Sequence, residues 1–101
     1  MVDMQVERYV TTDNGFGGTK KEWVDHLVVN GVIDMLSGDE VLAADKLGRS
    51  SSHILIMFDI VDIKREDRII SNDEQYRVAY VDNPMGMNRQ LEISLEWELT
   101  L

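Results

Sequence analysis

The chain has 101 residues, no cysteine and a formal net charge of −9. This length suits a single domain spanning residues 1–101, and the missing cysteines exclude disulfides and thiolate metal sites. The acidic balance disfavours tight nucleic-acid binding, which needs Lys and Arg to neutralise phosphates, and no apolar run approaches the ~18 residues of a membrane span.

The first thirty residues predict a hairpin of strands. Apolar side chains from Val2 to Val6 alternate with polar ones, the period of a half-buried strand. Asp13–Gly18 packs three glycines into six residues, which is typical of a hairpin tip. The Lys-Ser/Thr ending of a phosphate-binding loop is missing there. We expect Lys20–His26 and Leu27–Leu36 as second and third strands, with a bulge or a kink at Asn30-Gly31.

The segment from Leu36 to Ser52 resembles neither a strand nor a short turn. Ser37 and Glu40 fit a capping box, and Gly48 suits a helix C-terminus. A helix of about ten residues is marginal alone in water, and loops this long are commonly functional or disordered. We therefore expect a helix-bearing loop between the third and fourth strands, which is either mobile or covers one open end of a barrel.

The fourth strand is predicted over His53–Val61, and both of its alternating faces are apolar. Ile54 and Ile56 fall on one face, and Leu55 and Met57 on the other. A strand buried on both faces needs a second cover beyond the sheet itself. That cover is either the loop helix or a neighbouring subunit.

The remaining chain predicts three more strands separated by polar turns. Lys64–Asp67 suggests a solvated charged turn. A turn-rich loop at Asp82–Asn88 carries Met85 and Met87, which suit an adaptable contact surface, although a loop tucked against the domain fits equally well. In the last strand, Leu91–Leu99, strict alternation predicts a buried Trp97. The strands expected before it are Arg68–Ser71 and Gln75–Val81. The whole pattern favours a mainly β fold: a small antiparallel β-barrel of about seven strands with one long loop carrying a short α-helix.

Catalytic motifs are missing. His26 and His53 have no spacing that would place two metal ligands on one element, and no GxSxG motif is present. The acidic residues are spread along predicted strand faces instead of forming a constellation. We therefore expect no enzyme activity, no cofactor and no metal site.

Several segments, taken in order, form a pattern that resembles the head–tail joining, or head-closure, proteins of long-tailed bacteriophages and their prophages. The resemblance extends from about Val6 to Leu99. One difference is that Ile54–Phe58 are apolar where many relatives have a basic, aromatic strand. The segments that carry the resemblance are Thr12–Gly18 (TDNGFGG), Glu22–Asp25 (EWVD), Leu36–Glu40 (LSGDE), Ser52-His53, Asp67–Ile69 (DRI), Tyr76–Val78 (YRV), Asp82 and Leu91–Ile93 (LEI).

The resemblance implies a virion protein of the head–tail connector, made in the cytoplasm of the host bacterium. Such a protein assembles as a ring, commonly twelvefold, between portal or adaptor proteins above and tail proteins below, and packaged DNA passes through it without sequence-specific binding. The loop 36–52 would close the channel. The expected gating residues are Ser37, Asp39, Glu40, Leu42, Lys46, Leu47 and Arg49. The expected subunit or partner contacts are Asn14, Phe16, Leu55, Met57, Met85 and Met87.

Two alternatives remain open. A tail-completion or adaptor protein on the tail side of the joint belongs to the same kind of assembly. An oligonucleotide-binding barrel of similar size is a different class and requires a basic groove with interleaved aromatic residues. Lys20-Lys21 and Lys64-Arg65 are only isolated basic pairs, which disfavours that class.

Overall fold

A computed structural model describes residues 2–13, 15–46 and 51–101. In these segments the chain forms six β-strands, one α-helix and one short 3-10 turn. The elements are β1 (Val2–Asp13), β2 (Thr19–Met35), α1 (Gly38–Lys46), β3 (His53–Met57), β4 (Arg68–Ser71), β5 (Glu74–Asp82), the 3-10 turn Pro84–Gly86, and β6 (Leu91–Thr100).

All six strands belong to one antiparallel sheet that closes on itself in the order β1-β2-β3-β6-β5-β4. Closure is completed because β4 pairs back onto β1, with Val6 opposite Ile69. The prediction of a mainly β closed sheet with a helix in its long loop is confirmed, with six strands in the described part of the chain instead of about seven.

The two predicted strands between Lys20 and Leu36 are one continuous strand, β2, so the predicted division is wrong. The register against β1 passes from Val6–Leu27 to Glu7–Asp25, which leaves His26 as the extra residue of a bulge. The bulge predicted at Asn30-Gly31 is not there, because both residues remain in register with β1.

Gly31 has a packing role in place of the predicted bulge. A Cβ at this position would lie 2.7 Å from the carbonyl oxygen of Ile56 and 2.9 Å from Cδ1 of Leu55. The residue is glycine because β3 approaches the β2 backbone closely at this point.

The core fills the inside of the closed sheet with inward-facing residues from all six strands and from Ile63. The prediction that Trp97 joins this core is wrong, since its side chain is 46% exposed. The reason is that β3 ends its pairing with β6 at His53–Leu95, so Trp97 continues the inward row beyond the end of the neighbouring strand. The buried core residues are Met4, Val6, Val29, Leu55, Met57, Ile63, Ile69, Tyr76, Val78, Leu91, Ile93 and Leu95.

The fourth strand is also shorter than predicted. It ends at Met57, and residues 58–61 leave the sheet, with Phe58 59% and Ile60 45% exposed. No helix in the described part of the chain has the length and apolar character needed to cross a membrane.

We predict that Leu95→Ala lowers the free energy of unfolding by about 2–5 kcal/mol, because it opens a cavity at a fully buried position. Leu99→Ala is the matched control, since it removes the same atoms from the same strand at a position that is 43% exposed. Chemical denaturation of both variants measures the difference. If both variants lost the same free energy of unfolding, the core would not end between Leu95 and Leu99 as the structure places it.

Candidate functional site

The two stems of the long loop are joined at its base. The backbone N–H of Leu36 donates to the carbonyl oxygen of Ser52 (3.0 Å), and the N–H of Ser52 donates to that of Leu95 (2.8 Å). The Ser52 hydroxyl accepts from the backbone N–H of Trp97 (2.8 Å) and lies 2.8 Å from Nδ1 of His53. Ser52 therefore ties the loop to β6 and connects its exit to its entry.

The helix begins at the predicted capping box, which is confirmed. The N–H of Glu40 donates to the Ser37 hydroxyl (3.3 Å), and the N–H of Ser37 donates to Oε1 of Glu40 (3.0 Å). The Glu40 carboxylate is stabilised in its ionised form first by the bond from the Ser37 backbone N–H and second by the Ser37 side chain, so the pKa of Glu40 lies below its ordinary value of 4.5.

The described helix is exposed to solvent. Leu42, its large apolar residue with a described side chain, is 61% exposed, and among the described elements no strand packs closely against α1. Five of the predicted gating residues, Ser37, Asp39, Glu40, Leu42 and Lys46, lie on this helix or its cap and are exposed. Leu47 and Arg49 lie outside the described residues. The gating role itself stays a prediction.

Beside the loop base, the closed sheet has an open mouth. A cavity of about 490 Å³ is lined by side chains that include Met35, His53 and Trp97. The His53 and Tyr76 rings meet edge to face, with centroids 5.1 Å apart. Sequence reasoning missed this cavity, although the alternation of β6 runs past the buried residues and could have indicated it.

Glu74 organises the wall of this mouth. Its carboxylate accepts from Nε1 of Trp97 (2.6 Å) and from the Thr100 hydroxyl (2.9 Å). These hydrogen bonds, with the Trp97 bond first, lower the pKa of Glu74 below its ordinary value. The end of β6 is thereby held against β5.

The outer face of β2 and β3 is apolar and exposed. Val32 lies opposite Ile56 across the two strands and is 41% exposed, and Val28 is 65% exposed. Ile54 and Ile56 are only half-buried, since α1 does not pack on them. We call Val28, Val32, Ile54 and Ile56, with the exposed Phe58 that directly follows β3, the outer apolar face. Two covers were predicted for the outer face of this strand, β3: the loop helix and a neighbouring subunit. In the described structure, the loop helix does not cover it.

The contact assignment of Leu55 and Met57 requires correction. Both side chains are 0% exposed and belong to the core, because they face the inside of the closed sheet. The residues of β3 that are available to a partner are those on the opposite face, Ile54 and Ile56. Period-2 alternation defined the two faces but not which of them faced inward.

The other predicted contacts lie on two loops. Phe16 is 94% exposed at the tip of the β1–β2 hairpin, between Gly15 and Gly17, whose φ angles of 82° and 80° suit glycine. Asn14 lies outside the described residues. In the loop before β6, Met85 is 91% and Met87 49% exposed.

The turn at Lys64–Asp67, predicted as solvated, instead buries Asp67, which is 3% exposed. Nε and Nη2 of Arg8 donate to the Asp67 carboxylate at 3.0 and 2.8 Å, and the N–H of Lys64 donates to it at 2.9 Å. Nη1 of Arg8 also donates to Asp62 (3.0 Å). These bonds, Asp67 first, raise the pKa of Arg8 and attach residues 62–67 to β1.

The other arginines on the strands are also paired with carboxylates. Nε of Arg68 donates to Glu7 (2.7 Å), while its guanidinium lies 4.1 Å from the ring centroid of Trp23. Arg77 binds Glu66 (2.9 Å) and Glu96. Within the described segments, no group of three or more His, Asp or Glu could hold a metal ion.

We predict that Ser37→Ala raises the pKa of Glu40 only part of the way towards its ordinary value, because the variant removes the Ser37 hydroxyl but keeps the backbone N–H, which is the stronger contribution. In the native protein the depressed pKa means that the helix gains stability above the unfolded-state pKa and loses it as pH falls through the folded one. NMR titration of the Glu40 side chain measures its pKa in the native protein and in the variant. An unchanged Glu40 titration in the variant would contradict the contribution of the Ser37 hydroxyl to the lowered pKa.

A family model described as phage head completion protein matches residues 3–98 of the chain. A search among curated proteins returned no match. The matched region covers β2 to β5, nearly all of β1, most of β6 and the helix-bearing loop. The chain therefore belongs to the phage head completion protein family.

Proposed function

We propose that the protein is a ring-forming connector subunit that closes the DNA-filled head and presents a surface to the tail. The observation that carries this proposal is the contrast between a tightly bonded loop base and an exposed helix. Ser52 attaches the stems to β6, whereas Leu42 of the helix remains 61% exposed. A gate needs such an anchored base and a segment that is available for contacts outside its own subunit.

The outer apolar face supports assembly into a ring. Val28, Val32 and Phe58 expose apolar surface on a folded domain, and exposed apolar patches mark interaction sites. A neighbouring copy that covers this face would supply the second cover required by Ile54 and Ile56. Contact between two different faces of adjacent copies closes into a ring when the rotation allows it.

The charge of the chain suits a channel through which DNA must move. A net charge of −9 disfavours phosphate binding, and Arg8, Arg68 and Arg77 are each paired with carboxylates. DNA would then pass without being retained. The same pairing of arginines with carboxylates disfavours an oligonucleotide-binding barrel, which needs unpaired basic side chains beside its aromatic residues.

The portal or adaptor proteins on one side and tail proteins on the other are the partners of this proposal. Phe16 and Met85 are well suited to such contacts, because each is more than nine-tenths exposed at a loop tip. The virion is then the site of action, and the protein has a structural instead of a catalytic role.

We predict that replacing Asp39–Ser50 with a short glycine linker leaves the sheet folded but produces heads that leak DNA or fail to join tails. The sheet should survive because Leu36 and Ser52 still bond at the loop base and closure entropy changes slowly with loop length. Near-ultraviolet circular dichroism reports the fold, and DNA retention in purified heads reports the function.

The control for this deletion keeps the loop length and replaces the same residues with glycine and serine. Failure of both variants to complete heads would assign the function to the helix sequence. Normal heads with attached tails from the deletion variant would overturn the gate. A deletion variant that unfolds would show that the segment is a part of the core.

We predict that Val28→Lys gives a folded subunit that no longer completes heads, because a charge at the centre of a subunit contact must be desolvated. Leu101→Lys is the matched control, since Leu101 is 63% exposed and Val28 is 65% exposed. Complementation of a phage lacking the protein measures both variants. Full complementation by Val28→Lys would contradict the assigned ring contact.

A further inference from the structure

The mouth of the closed sheet holds an apolar cavity that is open to solvent. Its cavity of about 490 Å³ is lined by Met35 of β2 and Trp97 of β6, two strands that are separated by β3. Met35 is 77% and Trp97 46% exposed, so both present apolar surface to solvent. A flexible methionine beside an aromatic ring can adapt to an inserted side chain.

The rim of this mouth is acidic. The segments at the mouth, residues 31–35, 52–53, 71–76 and 97–101, contain no Lys or Arg. Of their four carboxylates, Glu98 lines a separate pocket with Arg68 and Arg77, which leaves Asp34, Asp73 and Glu74 at this end of the sheet. Glu74 lines the cavity itself. An apolar cavity with a rim of this charge is complementary to a segment that carries both apolar and basic side chains.

One wall of the mouth is also an open sheet edge. The pairing of β6 with β3 stops at Leu95. The next backbone N–H on that side, of Trp97, donates to the Ser52 hydroxyl. In the described segments, no strand pairs with β6 on that side beyond Trp97, while β5 continues on the other side to Thr100. Such an edge can accept an added strand from another chain.

We propose that this mouth binds an extended, lysine- or arginine-bearing segment of another protein, which adds to the open edge of β6 and places an apolar side chain between Met35 and Trp97. Alternate residues of a strand point in opposite directions. An apolar residue can therefore enter the cavity while its basic neighbours reach the carboxylates of the rim. A second copy of this chain, with its net charge of −9, is a poor electrostatic match for this site.

This binding site is independent of the proposed head closure, and it is tested on the purified protein. The probe is a short synthetic peptide of alternating lysine and valine, compared with one of alternating glutamate and valine. The Trp23→Phe variant leaves Trp97 as the single tryptophan, so its fluorescence reports the mouth directly. We expect saturable binding of the basic peptide, weakened by salt, and none of the acidic peptide.

Two methionine variants distinguish the mouth from general attraction to an acidic protein. Met35→Gln should weaken binding at least about tenfold, the equivalent of 1.4 kcal/mol. Met85→Gln removes a comparable exposed methionine from the loop before β6 and should leave affinity unchanged. A basic peptide with N-methylated backbone nitrogens should bind less tightly, since it cannot donate to the β6 edge.

The proposal is overturned if the basic peptide does not bind, if both peptides bind equally, or if Met85→Gln weakens binding as much as Met35→Gln. It is also overturned if N-methylation has no effect, because the segment would then not extend the sheet. None of these outcomes bears on head closure, which is measured by DNA retention in assembled heads.

Discussion

The closed sheet depends on its short third strand. β3 has only five residues, yet it alone joins β2 to β6, with Ile33 opposite Leu55 and Leu55 opposite Ile93. Leu55 and Met57 are completely buried, so the same strand that closes the sheet also fills its interior. The close approach of Ile56 to Gly31 shows how tightly this strand is fitted against β2.

The long loop enters and leaves the sheet at this strand. Because Ser52 precedes β3 directly and forms hydrogen bonds with both Leu36 and β6, the base of the loop is fixed at the position where the sheet is closed. The loop therefore has a hydrogen-bonded base and carries a helix that begins with its own capping box. At the other end of β3, Arg8 and Asp67 hold the following segment against β1 through a buried, bidentate ion pair.

Local patterns in the sequence predicted the elements that are decided by neighbouring residues. The alternation in β1, the glycine-rich hairpin tip and the Ser37–Glu40 capping box each depend on residues close in sequence, and each is confirmed. The resemblance also identified the family. Features decided by distant residues were missed. The exposure of Trp97 follows from where β3 stops, and the burial of Asp67 follows from Arg8, 59 residues away.

The central claim of the proposal is that copies of this subunit form a ring around the head channel and direct the loop 36–52 towards the axis. Electron microscopy of DNA-filled heads that contain the protein tests this claim most directly. The account predicts a ring of subunits with the outer apolar face against a neighbour and the α1 loops narrowing the channel. A ring in which that face is exposed to solvent and the loops lie on the outside would contradict it.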